Sequence, residues 1–442
     1  MTFKVTTLDK FATVQGGYAY KSGDFLPSGK WPVLKIKNIR TESIDYSDVV
    51  FVSEQIATAT TKWKTKKGDV LISMTGSGPS APASLVGRVA KIRSGEPVAL
   101  INQRVGRLVM KDGLNISQSF LYYVLSLKET QNFLVSSSTG SANQVNINAK
   151  TIGSVACPDI DLHISTNIAN FLEVLDDRII LLHQTNTTLE VIAQTLFKSW
   201  FIDFDPVRAK QKKRQPEGID EVTASFFPDC FEQSEFGEIP KGWHVKKISS
   251  IVSESKTRIG NNLATVLSAI QTGNLVRSSD YFNKRIYSKN ISKYKAVPPF
   301  FFAYNPARIN IGSIGINEST ELGAVSPVYV VVAPISNYFG YYLWHHLRTG
   351  YMKEMIKNMA SGSVRQILSY DDFSNINLVI PDENTLKAFF NIRSEIYENI
   401  KSNRVMIKTL INIKEILFPK LISGHLRLPD IEEINNQTKV TA

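Results

Sequence analysis

The sequence predicts an α+β fold: two mixed α/β domains separated by two long helices that form an antiparallel coiled coil, the whole a pseudo-two-fold internal repeat. Three observations lead there. The second half of the 442-residue chain repeats the first at an offset near 221 residues. Each half opens with short β-type runs broken by Gly, Pro, Asn and Ser. Each half closes on apolar residues spaced seven apart.

The repeat is clearest toward the end of each half. Gly140-Ser141-Ala142-Asn143-Gln144 returns 222 residues later as Gly362-Ser363-Val364-Arg365-Gln366, and Pro158-Asp159 returns after 223 as Pro381-Asp382. Leu189, Ile192, Leu196 and Phe197 return after 221 as Leu410, Ile413, Leu417 and Phe418. A common order at a nearly constant offset implies two copies of one structural unit, related by an approximate two-fold axis if they pack together. The first part of each copy, 1–160 and 241–381, carries runs such as Asp69-Val70-Leu71-Ile72-Ser73 and Phe300-Phe301-Phe302-Ala303-Tyr304. Their length and spacing suit the strands of a compact mixed domain. Helical segments over 118–129 and 338–355 interrupt them.

The second part of each copy, 161–205 and 382–425, reads as one long helix. Ile168, Leu175, Leu182, Leu189 and Leu196 form one heptad row, and Leu172, Ile179, Asn186, Ala193 and Trp200 form the other. Only Asn186 is polar in this seam. The second seam, Phe389, Ile396, Asn403, Leu410 and Leu417 with Arg393, Ile400, Ile407, Lys414 and Leu421, is more polar. Ser165 and Asp382 are the expected N-caps. Pro206 should stop the first helix, and Pro419 should kink or end the second. Copies related by a two-fold axis can join such helices antiparallel across it. Pairing Ile168 with Leu421 and Trp200 with Phe389 then sets Asn186 opposite Asn403. A facing asparagine pair costs stability but fixes register.

Between the copies, 206–240 holds Arg208-Ala209-Lys210-Gln211-Lys212-Lys213-Arg214-Gln215-Pro216-Glu217-Gly218. This reads as a solvated linker, with a phosphate-contacting arm as the alternative. A polar tail, 426–442, closes the chain. The formal net charge of +11 favours a polyanionic partner, chiefly nucleic acid. Two distant cysteines, Cys157 and Cys230, exclude a disulfide framework or a cysteine-built zinc site. No signal-type segment opens the chain, and no run approaches the ~18 apolar residues of a membrane helix, so a cytoplasmic protein is expected.

A search for catalytic chemistry finds none. Asn305-Pro306-Ala307-Arg308 starts like the segment that grips the amino group in adenine methyltransferases but lacks the second Pro and the aromatic residue. Gly76-Ser77-Gly78-Pro79 is too short for a dinucleotide loop, and there is no phosphate-binding P-loop. Asp229, Glu254 and Lys256 have a nuclease-like spacing that arises often by chance. The six histidines, including adjacent His345 and His346, lack metal-ligand spacing, so no metal site is expected. What remains is a pair of domains rich in Ser, Asn, Gln and basic residues. Bases are read by Arg, Lys, Asn, Gln, Ser and Thr, and phosphates are held by cations, hydroxyls and backbone amides. The candidate DNA-contacting residues are Gln103, Arg104, Ser141, Asn143 and Gln144 in the first domain. In the second they are Asn305, Arg308, Ser363, Arg365 and Gln366. An ordinary Gly/Ser turn is the competing reading of each loop.

The chain resembles the specificity subunits of type I restriction-modification systems. The likeness rests on Leu196-Phe197-Lys198-Ser199-Trp200-Phe201-Ile202-Asp203-Phe204-Asp205-Pro206-Val207 and Phe236-Gly237-Glu238-Ile239-Pro240-Lys241-Gly242-Trp243. It rests equally on Asn305-Pro306-Ala307-Arg308-Ile309-Asn310-Ile311-Gly312-Ser313-Ile314-Gly315 and Leu417-Phe418-Pro419-Lys420-Leu421-Ile422-Ser423-Gly424. The resemblance implies two target recognition domains, conserved-region helices paired antiparallel, and a non-catalytic role in reading double-stranded DNA. It implies assembly with two modification (methyltransferase) subunits and with restriction (nuclease/translocase) subunits, and no membrane. S-adenosylmethionine, ATP and Mg would belong to those partners, with no cofactor on this chain. A ~33-residue helical spacer of roughly 50 Å would centre the half-sites on the order of 10–15 base pairs apart. Arg365 stands where the first copy has Asn143, so the two loops need not read DNA alike. The competing classes are a stand-alone DNA-binding regulator, a nuclease and a scaffold without DNA affinity.

Overall fold

The computed structural model describes residues 2–78, 86–113, 115–141, 144–271, 273–282, 287–360 and 367–428, with the Ser141 side chain outside that description. The chain divides into two units, Met1–Leu182 with Val405–Ala442, and His183–Arg404. Each unit holds one mixed domain and a part of both long helices.

In the first unit a four-stranded antiparallel sheet has the order Ala12–Gly16, Val105–Met110, Val70–Ser73, Val89–Lys91. A second sheet runs Val50–Val52, Trp31–Leu34, Leu100–Ile101, its last pair parallel. Val5–Thr7 pairs with Ala156–Pro158, tying the start of the domain to the strand before the first long helix. The second unit repeats this plan. Its antiparallel sheet runs Val252–Glu254, Val330–Pro334, Phe302–Tyr304, Ile314–Ile316. Its other sheet runs Asn274–Arg277, Thr265–Ile270, Gly323–Val325, Lys295–Val297, again with one parallel pair. His244–Lys247 pairs with Asn377–Ile380 as the closing strands.

The uninterrupted apolar runs arise because the central strand of each unit is covered on both faces. Successive side chains of a strand point to opposite sides. Val70 and Ile72 therefore pack with the helices while Leu71 enters a separate core between the sheets. Phe302 and Tyr304 likewise face one core and Ala303 the other.

The helical segments differ from expectation. Each is two helices: Gln118–Ser126 with Lys128–Ser136, and Asn337–Leu347 with Gly350–Met359. In the second pair, Thr349 accepts from Met352 N and so caps a new helix where one was expected to continue.

The long helices span Leu162–Phe201 and Glu383–Ser423. The first begins earlier than expected. Asp161 Oδ1 accepts from Ile164 N at 2.8 Å and is the cap, whereas Ser165 is buried and accepts from Ser117 N. Asp382 caps the second helix by accepting from Asn384 N and Thr385 N. Pro206 does not stop the first helix, which ends at Phe201 with Phe204 in the left-handed region; Pro206 instead opens the helix Asp205–Gln211. Pro419 does not end the second helix, which continues to Ser423. Phe418, Leu421 and Ile422 are buried in the core of the first unit, and that packing outweighs the ~3 kcal/mol that an interior proline costs.

Within each unit the two helices pair antiparallel. In the first, Ile168 and Leu172 share a core with Phe418 and Leu421, and Asp176 meets Lys414. In the second, Ala193 packs with Ile396 and Ile400, and the Trp200 and Phe389 rings lie 6.1 Å apart. Asn403 Nδ2 donates to Asn186 Oδ1 at 2.9 Å.

The expected linker is folded into the second unit. It forms Asp205–Gln211, Glu221–Ser225 and a hairpin of Phe231–Ser234 with Gly237–Pro240. Val207 and Phe227 are buried in the main core of that unit. Lys210 of the basic run donates to the carbonyls of Ala224 and Phe227, and Arg208 lies over the Phe231 ring at 5.1 Å. These two basic residues hold the segment down by their aliphatic stems and donors rather than simply facing solvent.

Candidate nucleic-acid interface

In the first unit the chain turns tightly at Asn102–Gln103–Arg104–Val105. Val105 N donates to Asn102 O at 2.7 Å, and Asn102 Oδ1 accepts from Gln103 N at 2.6 Å. This β-turn leaves Gln103 and Arg104 at its exposed tip. Arg104 O accepts from Met74 N, and Met74 O accepts from Ile147 N, both at 2.9 Å. The hairpin Thr139–Ser141/Gln144–Asn146 is joined to Thr75–Gly76 in one small sheet. Thr75 Oγ1 adds a bond to Asn146 Oδ1 at 2.6 Å. Gly140 has φ 132°, and a Cβ there would stand 2.4 Å from Gln144 O, so only glycine lets the hairpin close. The segment 74–76 thus draws together Gln103 and Arg104 on one side and exposed Gln144 on the other.

Next to this turn lies a stripe of aromatic and basic side chains that the sequence reading missed. Tyr18 N donates to Ile101 O, and the Tyr18 ring is 4.9 Å from both Tyr20 and Trp63. Tyr20 continues to Phe25 at 6.1 Å. Trp63 is anchored by Nε1–H donating to Gly16 O at 3.0 Å. Cations line the rings: Lys35 stands 3.8 Å from the Phe25 centroid, Lys64 3.9 Å from that of Trp31, and Lys62 5.9 Å from that of Trp63. Burial, with the neighbouring Lys37 ammonium, lowers the Lys35 pKa. Arg107 donates to the carbonyls of Lys62 and Lys64 and pairs with Asp69 at 3.2 Å. It therefore holds this stretch on the sheet and is not free to meet a ligand. Gly17 permits the close approach, since a Cβ there would lie 2.2 Å from Asn102 O. The only local signal was Gly16-Gly17-Tyr18-Ala19-Tyr20-Lys21; Trp63 is too far along the chain to be read as its neighbour.

In the second unit the segment that follows the central strand is itself the turn over 305–313. Asn305 Oδ1 accepts from Ala307 N, Arg308 N donates to Asn305 O, and Ser313 N donates to Arg308 O. Asn305 is half-buried with its side-chain oxygen committed to the turn, whereas Arg308 is exposed. Gly312 has φ 90°, and a Cβ there would meet Gln271 O at 2.5 Å. Leu368 N donates to Pro306 O at 3.2 Å, which brings the downstream end of the second Gly/Ser loop to this turn. Ile147 and Leu368 hold matching positions in the two copies, and each is bonded to the segment that follows its central strand. Asn143, Ser363, Arg365, Gln366 and the side chain of Ser141 lie outside the described residues.

Glu254, His345 and His346 are paired or buried. Glu254 is paired with Lys256 at 3.2 Å and lies 4.0 Å from Lys295. His345 and His346 are buried; burial holds His346 down to about 3 and, with the Arg393 charge, His345 well below its ordinary value. Neutral His345 accepts from Arg393 Nε at 3.3 Å through Nε2. Among the described residues no group of three or more His, Cys, Asp or Glu could hold a metal ion.

Residues 1–191 match the family model described as the type I restriction modification DNA specificity domain. The chain is 26% identical over 348 residues to the type I restriction enzyme MjaIX specificity subunit of Methanocaldococcus jannaschii, covering 75% of this chain and 73% of that one. It is 24% identical over 372 residues to the HindI specificity subunit of Haemophilus influenzae, covering 72% and 80%. Its fold is similar to the crystal structure of the type I restriction-modification system S subunit from M. genitalium, with a TM-score of 0.59 and 15% identity over 97% of this chain and 96% of the other.

Proposed function

The chain belongs to the family of type I restriction-modification specificity subunits, and from that premise we propose that it reads a bipartite, asymmetric target in double-stranded DNA, one half with each recognition domain. It is the recognition component of the complex and carries no catalytic role. The observation that supports this reading most is the repeated site. In each unit the segment that follows the central strand accepts a backbone hydrogen bond from the residue at the matching place in the repeat, Ile147 in the first and Leu368 in the second, and exposed polar side chains stand close by. The side chains differ between the copies, Gln103, Arg104 and Gln144 against Arg308, so two copies of one frame would read two different half-sites. Sequence identity would come from base edges, affinity from phosphates.

Modification subunits supply the methyltransferase in this reading, with S-adenosylmethionine bound to them. Restriction subunits supply nuclease and translocase, with ATP and Mg. Exposed apolar residues on the long helices support a docking role: Val174, Leu181, Ile413 and Ile416 in the first unit, Val191 and Ile192 in the second. No helix of the described residues is long and apolar enough to cross a membrane, and we place the complex in the cytoplasm.

Copurification is the direct test. Affinity-tagged chain expressed from its source genome should bring down a methyltransferase subunit and confer sequence-specific duplex binding on it. A chain that is recovered alone and binds a defined DNA site without any partner would instead be a stand-alone regulator.

A further inference from the structure

We propose that Lys414 and Arg393 are positioning residues that fix how each recognition domain stands on the helix pair, and so set the spacer length that the subunit accepts. The inference rests on the function proposed above.

Both residues occupy seam positions where a coiled coil calls for an apolar side chain, and both are buried, at 7% and 1% exposure. Lys414 Nζ lies 2.7 Å from Asp176 Oδ1 and 2.8 Å from Glu42 Oε1. Asp176 belongs to the first long helix. Glu42 belongs to a turn of the first recognition domain and sits in the left-handed region at φ 64°, its N–H bonded to Val89 O. Asp176 Oδ2 also accepts from Tyr123 of the domain at 2.8 Å. Arg93 of the domain reaches Asp177 of the helix at 2.8 Å.

The second unit uses the same plan with other residues. Arg393 Nη2 lies 3.0 Å from Glu318 Oε1, in the domain, and 3.7 Å from Glu190 Oε1, on the first long helix. Arg348 of the domain meets Glu190 at 3.5 Å. The Arg393 guanidinium stands 5.0 Å from the centroid of Tyr341, and its Nε donates to His345 Nε2 at 3.3 Å. Each cluster thus joins three bodies at one cation: the second helix, the first helix and a recognition domain.

These are not two copies of one inherited contact. The offset that maps the first half onto the second carries Ala193 to Lys414 and Leu172 to Arg393. Each domain has its own joint at a non-equivalent place. Stability is a poor reason for them, because desolvation of a buried ion pair offsets most of its attraction and a well-packed apolar residue serves as well. Direction is what the ion pairs add. An apolar contact tolerates sliding, whereas a cation shared between two carboxylates has one good geometry. Burial alone would lower the Lys414 pKa; Glu42 and Asp176 more than offset that, so the ammonium stays charged.

The test compares wild type, Lys414→Arg and a triple variant, Lys414→Met with Glu42→Gln and Asp176→Asn, which leaves no uncompensated buried charge. Methylation by the full complex is measured on duplexes carrying the natural spacer and spacers one base pair shorter and longer. The wild type and Lys414→Arg should prefer the natural spacer by at least about ten-fold. The triple variant should keep its rate on the natural target within about three-fold but lose most of that preference. Preference unchanged in the triple variant, or equal loss on all three duplexes, overturns the proposal. A second measurement needs no DNA. Spin labels at Lys67→Cys and Lys408→Cys in full-length chain carrying Cys230→Ser report the distance from domain to helix. A narrow wild-type distribution should broaden in the triple variant; one that stays narrow removes the joint whatever the chain reads. Broadening in a chain that reads no DNA would keep the joint and sink only the function proposed for it.

Discussion

At the residue scale, the roles of similar side chains separate by what they touch. Arg107 is consumed by carbonyls and Asp69, and Asn305 by its own turn, while Arg104, Gln144 and Arg308 are exposed. Lys62 and Lys64 stand on aromatic rings. Cations presented in this way suit phosphates, which are the same in every sequence. Lys62→Ala with Lys64→Ala should therefore weaken binding about equally on cognate and non-cognate duplexes. The slope of log affinity against log salt should fall by roughly two. An Arg104→Ala loss confined to cognate DNA would instead mark base reading. A double lysine variant with an unchanged salt slope removes the stripe from the interface. The turns could be proposed from sequence because Gly, Asn and Ser announce them. The stripe could not, since Tyr18 and Trp63 meet only after the sheet has formed.

At the scale of elements, the heptad rows made the long helices legible, and antiparallel pairing was an arrangement that the repeat allows. Asn186 and Asn403 are half-buried and share one hydrogen bond at 2.9 Å. Asn186→Leu with Asn403→Leu should raise the thermal midpoint by a few degrees, on the order of 1 kcal/mol, because apolar packing replaces a polar pair. The same change should loosen register, since the amides no longer penalise a slip. Unchanged discrimination of spacer length by that variant would show that the pair does not set register. Other elements were hidden for a physical reason. A proline is normally a helix stop, but Pro419 lies among residues whose burial holds the last turn together. The basic run after the first helix looked solvated because charge is local, whereas the burial of Val207 and Phe227 depends on a core assembled from the whole second domain. Arg393 and Lys414 looked like flaws in a seam until Glu318 and Glu42 reached them, the latter from 372 residues away.

At the scale of the whole molecule, the order of the antiparallel sheet occurs twice, each time beside a second sheet with one parallel pair, three-stranded in the first unit and four-stranded in the second, and closing strands lead into a long helix each time. The repeat supplies one frame twice, and different turns and joints make the two halves unlike. A chain built this way should give a target whose two halves differ. Single-molecule mapping of methylated bases tests this most directly, in cells expressing the chain with its modification subunits and in cells lacking the chain. The expected result is one motif of two short, different segments separated by a fixed run of unspecified bases, present only with the chain. A single continuous short motif, or a pattern that survives loss of the chain, would contradict it.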